Sequence, residues 1–198
     1  GCRVQHFRTR ACPTAVELVG QISGLPGRHL DSWLMPDSLC QSSFLRGTRG
    51  AQLSVVEGTL ETSARPEAYQ QCDVPGQLGQ VAKLLDLPII AVLSVSGRED
   101  GVFHLPRLPE RTRGILIDGL EDPEDLCRIK RLIRITHNVP VLGALESTPR
   151  LRQEVEKARR NDAVCEDLAH DLARKFLRHS NLEAIADLAR SRPLPDLC

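Results

Sequence analysis

Leu53-Ser54-Val55-Val56-Glu57-Gly58 is a short apolar run that ends in a carboxylate followed by a glycine. Apolar runs this short, bounded by polar or turn residues, read as buried strands. The strand expected here is Gln52–Val56. Arg3–Phe7, Pro88–Val95, Gly114–Asp118 and Val139–Leu145 have the same character. Their near-continuous apolar residues suit strands covered on both faces. Helical patterns lie between them, at Asp37–Leu45, at Gly76–Leu85 and after Asp122-Pro123-Glu124-Asp125. Strand and helix in alternation imply right-handed crossovers. The expected fold is therefore α/β, with a mostly parallel sheet flanked by helices. Ligands bind such sheets at the carboxyl edge of the strands. Glu57 falls at that edge, where its plainer reading is a glutamate that merely ends a strand.

The rest of the chain extends this pattern. Asp122 reads as a helix N-cap, with Pro123 in the first turn and acids facing the positive end of the helix dipole. Leu126, Ile129 and Ile133 then share one face, and Arg128, Lys130, Arg131 and Arg134 make a solvated one. Pro149–Arg160 is a charged helical pattern. A stripe at helical spacing follows, from Cys165 through Leu168, Leu172 and Phe176. Ser180-Asn181-Leu182-Glu183 matches a capping box that opens a last short helix. The expected division is an α/β domain over 1–148, a helical C-terminal segment of that domain over 149–190, and a tail or linker over 191–198. Gly97–Arg113, rich in charge, proline and glycine, is expected to be an exposed, mobile loop.

Composition narrows the function. A length of 198 residues is enough for one α/β domain with its own core. Lys and Arg total 26 and so do Asp and Glu, which argues against a dedicated nucleic-acid binder. No apolar run reaches the roughly 18 residues of a membrane span, and no secretory signal opens the chain. The seven cysteines are scattered without a Cys-x-x-Cys pair, a usage that suits reduced thiols in a cytoplasm. The six histidines are dispersed, and no zinc-ligand cluster is present.

Two ordered sets of residues carry a family resemblance. The first is Gly27-Arg28-His29-Leu30-Asp31-Ser32-Trp33-Leu34-Met35, then Ser42-Ser43-Phe44, then Glu57-Gly58. The second is Val81-Ala82-Lys83-Leu84-Leu85-Asp86-Leu87-Pro88-Ile89-Ile90-Ala91-Val92-Leu93. In this order they resemble the synthetase domain of the cobyrinic acid a,c-diamide synthases. That resemblance implies a P-loop NTPase-like fold and an ATP-dependent amidoligase of cobalamin biosynthesis. Such an enzyme phosphorylates an acetate carboxylate of the corrin ring, and ammonia then displaces the phosphate. The implied cofactors are ATP and Mg²⁺. The implied partners are a corrinoid substrate and a glutamine amidotransferase domain or chain. Glu57 becomes the catalytic acid and Mg²⁺ ligand, Arg8 and Asp118 become nucleotide contacts, and Asp31 and Trp33 become substrate contacts.

The sequence also departs from the family pattern. No G-x-x-x-x-G-K-[ST] occurs in it. By position such a loop would lie about 20 to 30 residues before Gly1, and an N-terminal piece is expected to be missing. The family reads V-Q-P-F-K where this chain has Val4-Gln5-His6-Phe7-Arg8, and a family acid falls at Cys12. Thiols are poor ligands for Mg²⁺, which prefers hard oxygen. The glycines after E-G are replaced by Leu60-Glu61-Thr62-Ser63-Ala64-Arg65, with Glu61 a partial stand-in for the second acid. Asp118 takes the place of an asparagine that can both donate to and accept from a purine edge. Two readings follow: an amidoligase with altered site motifs, or a non-catalytic relative that uses the same crevice for a ligand or partner. A dethiobiotin synthetase-like enzyme or a partition-type ATPase fits the Leu-Asp-Ser-Trp-Leu element less well.

Overall fold

The computed structural model describes residues 2–10, 19–60, 76–95, 105–161 and 166–191. These residues divide into two compact units. The first holds β1 (Val4–Arg8), β2 (Arg28–His29), α1 (Asp37–Thr48), β3 (Leu53–Glu57) and α2 (Leu78–Leu84). The second holds β4 (Ile89–Ser94), β5 (Thr112–Leu120), α3 (Asp125–His137), β6 (Val141–Glu146), α5 (Glu166–His179) and α6 (Leu182–Arg190). The helix between β6 and α5, α4 (Pro149–Arg160), contributes residues to each. Each unit contains a three-stranded sheet, ordered β2-β1-β3 in the first and β4-β5-β6 in the second. Every pairing is parallel, so the expected α/β class holds.

In the first unit, β1 pairs with β3 from Val4↔Leu53 to Arg8↔Glu57. Side chains alternate across a strand, so this register sends Phe7 and Val56 to one face. There Phe7, Leu30, Phe44 and Val81 form a buried cluster, with Val56, Leu85 and Leu87 packed against it. The Phe7 and Phe44 rings lie 5.0 Å apart at 45°, a tilted arrangement that suits their quadrupoles. His6, Arg8, Val55 and Glu57 belong to the opposite face. The expected strands were displaced by one residue, because polar Arg8 and Glu57 still belong to the ladder. The two-residue β2 had no periodic signal at all. It is recognised only by pairing, Phe7↔Arg28 and Arg8↔His29.

In the second unit the long strand β5 is central. It is buried along most of its length, through Gly114, Ile115, Leu116 and Ile117. Helices α3, α5 and α6 pack against β6. Thr112 and Arg113, expected in a loop, instead open β5; residues 97–104 of that loop lie outside the described residues. Helix α3 starts later than expected. Asp122 caps a preceding turn, its Oδ1 accepting from Glu124 N at 2.8 Å, and the helix begins at Asp125. The cap of α6 is Asn181 rather than Ser180: Asn181 Oδ1 accepts from Ala184 N at 3.1 Å. Ser180 is used elsewhere, in an antiparallel bridge to Gly143. A Cβ at Gly143 would lie 2.7 Å from His179 O, so only glycine admits this approach.

Coverage on both faces holds only in part. Val55 and Val92 are 43% and 62% exposed. They sit on β3 and β4, each the outer strand of its own sheet. No helix among the described residues is long and apolar enough to cross a membrane.

The Phe7 ring is the centre of the first unit's core. Truncation of a buried phenylalanine to alanine costs about 3–5 kcal/mol. Phe7→Ala is expected to lose that much in urea unfolding, and Asn181→Ala about 1 kcal/mol. A Phe7→Ala loss below that of Asn181→Ala would contradict this account of the core.

Candidate functional site

The carboxyl edge of β1 and β3 carries a compact polar constellation. Arg8 and Glu57 are direct cross-strand partners, and His6 lies two residues back on the same face. Arg8 donates from Nη2 to Glu57 Oε1 at 3.1 Å, and His6 Nε2 lies 3.0 Å from Glu57 Oε2. The hydrogen bond from His6, aided by the Arg8 charge, holds the Glu57 carboxyl below the usual carboxylate range; partial burial opposes them and loses. An ionised carboxylate only accepts hydrogen bonds. His6 Nε2 therefore carries the proton that it shares with Glu57. His6 Nδ1 and Arg8 Nη1 are buried and have no hydrogen-bond partner among the described residues. The Glu57 side chain remains 51% exposed, so a ligand can reach it.

The backbone closes tightly around this acid. Thr9 N donates to Glu57 O at 3.0 Å. A Cβ at Gly58 would come within 2.4 Å of Thr9 Oγ1 and 2.9 Å of Leu78 Cβ. The glycine after the acid is thus explained by the close approach of β1 and the start of α2.

Asp31 and Trp33 lie in the turn that follows β2. Leu30 N donates to Arg8 O at 2.7 Å, which ties that turn to the end of β1. Asp31 is buried, and its Oδ1 accepts from Trp33 N at 3.0 Å. Its carbonyl accepts from Leu34 N and Met35 N. Ser32 donates to Gln80 Oε1 and accepts from Gly76 N, both at 2.8 Å. Asp31 therefore shapes the turn, and Trp33 projects from it, 69% exposed.

Asp118 belongs to the second unit, near the carboxyl end of β5. Its Oδ2 accepts from Arg152 Nη2 at 2.7 Å. Close by in that unit, Lys175 donates to Glu146 O at 2.6 Å and to Thr148 Oγ1. Sequence reasoning missed His6 and Arg152. Parallel register and the two-residue strand period would have put His6 beside Glu57. Arg152 is 34 residues from Asp118 and left no local signal. Cys12 and Glu61 to Arg65 lie outside the described residues.

Mg²⁺ keeps several waters and takes one or two carboxylates plus substrate phosphates. Glu57, ionised and half exposed, fits as one such carboxylate. The described residues contain no group of three or more His, Cys, Asp or Glu able to hold a metal without such help.

These features define an α/β domain with parallel sheets and an ion-paired acid at a carboxyl edge. Comparison with known proteins then narrows the class. The chain is 30% identical over 185 residues to the hydrogenobyrinate a,c-diamide synthase of Streptomyces coelicolor, which covers 85% of the chain and 36% of that protein. It is 29% identical over 140 residues to the enzyme of that name from Agrobacterium fabrum, covering 65% of the chain and 30% of the relative. The cobyrinate a,c-diamide synthase of Archaeoglobus fulgidus is 20% identical over 185 residues, covering 86% of the chain and 39% of the relative. This chain is a divergent relative of the hydrogenobyrinate and cobyrinate a,c-diamide synthases. It spans between 30% and 39% of the length of these three. No protein-family model and no solved structure matches it.

The lowered pKa of Glu57 has a consequence for acid stability. Its unfolded value is about 4.3, and its folded value lies lower. The pairing stabilises the fold fully above the unfolded value, and that contribution is lost as the pH falls through the folded value. Urea midpoints of Glu57→Gln should therefore fall less steeply than wild type between about pH 6 and pH 2. Parallel acid limbs would show that the pair contributes nothing.

Proposed function

We propose that this chain is the synthetase portion of an ATP-dependent enzyme that amidates the acetate carboxylates of a corrin ring. The similarity to the Streptomyces coelicolor hydrogenobyrinate a,c-diamide synthase, across 85% of the chain, carries this reading. The carboxyl-edge acid and its partners Arg8 and His6 support it.

In this reading ATP supplies the phosphoryl group that activates the substrate carboxylate, and Mg²⁺ screens the phosphate charge. Glu57 provides the hard oxygen donor for the metal. Arg8, with Nη1 uncommitted, offers positive charge to a phosphate or to a corrin carboxylate. Charged groups fixed in place before reaction supply much of the rate enhancement in such catalysis. His6 holds one oxygen of Glu57 and so orients the other. Trp33 offers an exposed aromatic face to the apolar macrocycle, on a turn made rigid by Asp31. Asp118 is held at Oδ2 by Arg152 within the second unit. Ammonia comes from a glutamine amidotransferase domain or chain. The scattered reduced thiols fit a cytoplasmic location. Among them Cys40 is buried, and burial with the nearby Asp37 and Asp31 charges raises its pKa and keeps it unreactive.

Amide formation can be followed with hydrogenobyrinate, Mg-ATP and ammonium salts, which removes the need for a glutaminase. Mg-ATP binding is measured in parallel by calorimetry. Wild type is expected to bind Mg-ATP and form amide. Glu57→Ala should lower the rate by roughly 10²–10³-fold, the range for loss of one preorganised electrostatic group. Corrinoid binding without ATP binding or amide formation would favour the non-catalytic reading instead.

A further inference from the structure

Both carboxylate oxygens of Glu57 are engaged at once. His6 Nε2 lies 3.0 Å from Oε2, and Arg8 Nη2 donates to Oε1 at 3.1 Å. The two partners are held very differently. His6 is 5% exposed, and its ring turns about two bonds only. The Arg8 side chain is longer, has more rotatable bonds and is 22% exposed. Arg8 Nη1 is buried with no hydrogen-bond partner among the described residues, so this pose leaves one donor of the guanidinium unmet. Of the two contacts, the one from Arg8 is the easier to break.

Two kinds of charge act on that contact. A cation taken up at Oε1 meets the Arg8 guanidinium, which keeps its charge at any working pH, and like charges at such a distance repel. A phosphate group attracts the same guanidinium through charge-assisted hydrogen bonds, often two at a time. An ion pair on a half-exposed carboxylate contributes little in water. A phosphate can therefore draw Arg8 away at small cost, and its arrival leaves Oε1 open to a hard cation.

We propose that Arg8 is a latch on Glu57: it covers Oε1 until a nucleotide phosphate draws it off, and so makes metal binding at Glu57 depend on nucleotide binding. His6 stays on Oε2 throughout and keeps the carboxylate in place. The latch rests on the reading of Glu57 as the metal ligand of an ATP-dependent enzyme. It adds an order to that reading: the phosphate arrives first or together with its metal, and free Mg²⁺ is kept out.

The test is calorimetry of ATP binding, in EDTA and again in excess Mg²⁺, for wild type, Glu57→Gln, Arg8→Gln and the double variant. Glu57→Gln keeps the shape and releases Arg8. It should bind metal-free ATP about fivefold more tightly than wild type, the equivalent of one exposed ion pair. That gain should vanish in the Arg8→Gln background, where there is no latch to release. Mg²⁺ should tighten ATP binding to wild type and leave Glu57→Gln unchanged. A gain that persists undiminished in the Arg8→Gln background would mean plain repulsion between Glu57 and phosphate. No gain at all would mean that Glu57 does not hold Arg8 back. Either result overturns the latch, while amide formation by wild type would still support the amidoligase. The expected pattern without amide formation keeps the latch and overturns amidation. Absence of ATP binding in all four proteins overturns both.

Discussion

The parallel register of β1 on β3 governs the first unit. With Arg8 opposite Glu57, Phe7 and Val56 face the core, and His6, Arg8 and Glu57 face the other way. A slip of one residue would exchange the two faces. If β3 slipped along β1, Val56 would leave the apolar cluster and the acid would be driven toward it. The core and the candidate site are therefore set by one choice of pairing. The apolar cluster enforces it, since no polar contact at a half-exposed carboxylate is strong enough to do so alone.

The same register explains the tight local geometry. Gly58 follows the acid because Thr9 and Leu78 leave no room for a Cβ. The turn carrying Trp33 hangs from the Arg8 carbonyl and is braced by Asp31 and Ser32. Backbone bonds thus link the exposed tryptophan to the strand that bears Arg8. Glu57 is ready to act as a hard oxygen donor because His6 and Arg8 keep it ionised. The same two residues compete for its oxygens, so any cation bound there must share or displace them.

The second unit follows a different logic. Its central strand is buried over most of its length, and its polar groups gather at the two strand ends. Asp118 is countered by Arg152 at one end, whereas Thr112 Oγ1 and His137 Nε2 at the other are buried with no hydrogen-bond partner among the described residues. A protein interior ordinarily satisfies such atoms.

Much of this was legible without coordinates. Apolar runs and helical periods gave the α/β alternation, and Pro149–Arg160 emerged as a helix with the expected bounds. Glu57, Arg8, Asp31 and Trp33 were read as site residues from motif order, and the first unit contains all four. What sequence could not supply was partnership at a distance. β2 exists only because Phe7 and Arg8 pair with it. Ser180 fits a capping box, yet it bridges Gly143 and leaves the cap to Asn181. His6 was an ordinary strand residue until register set it against Glu57, and Arg152 was one basic residue among many on a charged helix. Thr112 read as part of a loop until pairing drew it into β5. Local periodicity and turn chemistry are properties of neighbouring residues, and the sequence by itself determined these. Register, strand pairing and the satisfaction of buried polar atoms depend on residues tens of positions apart, and only the tertiary structure decided them.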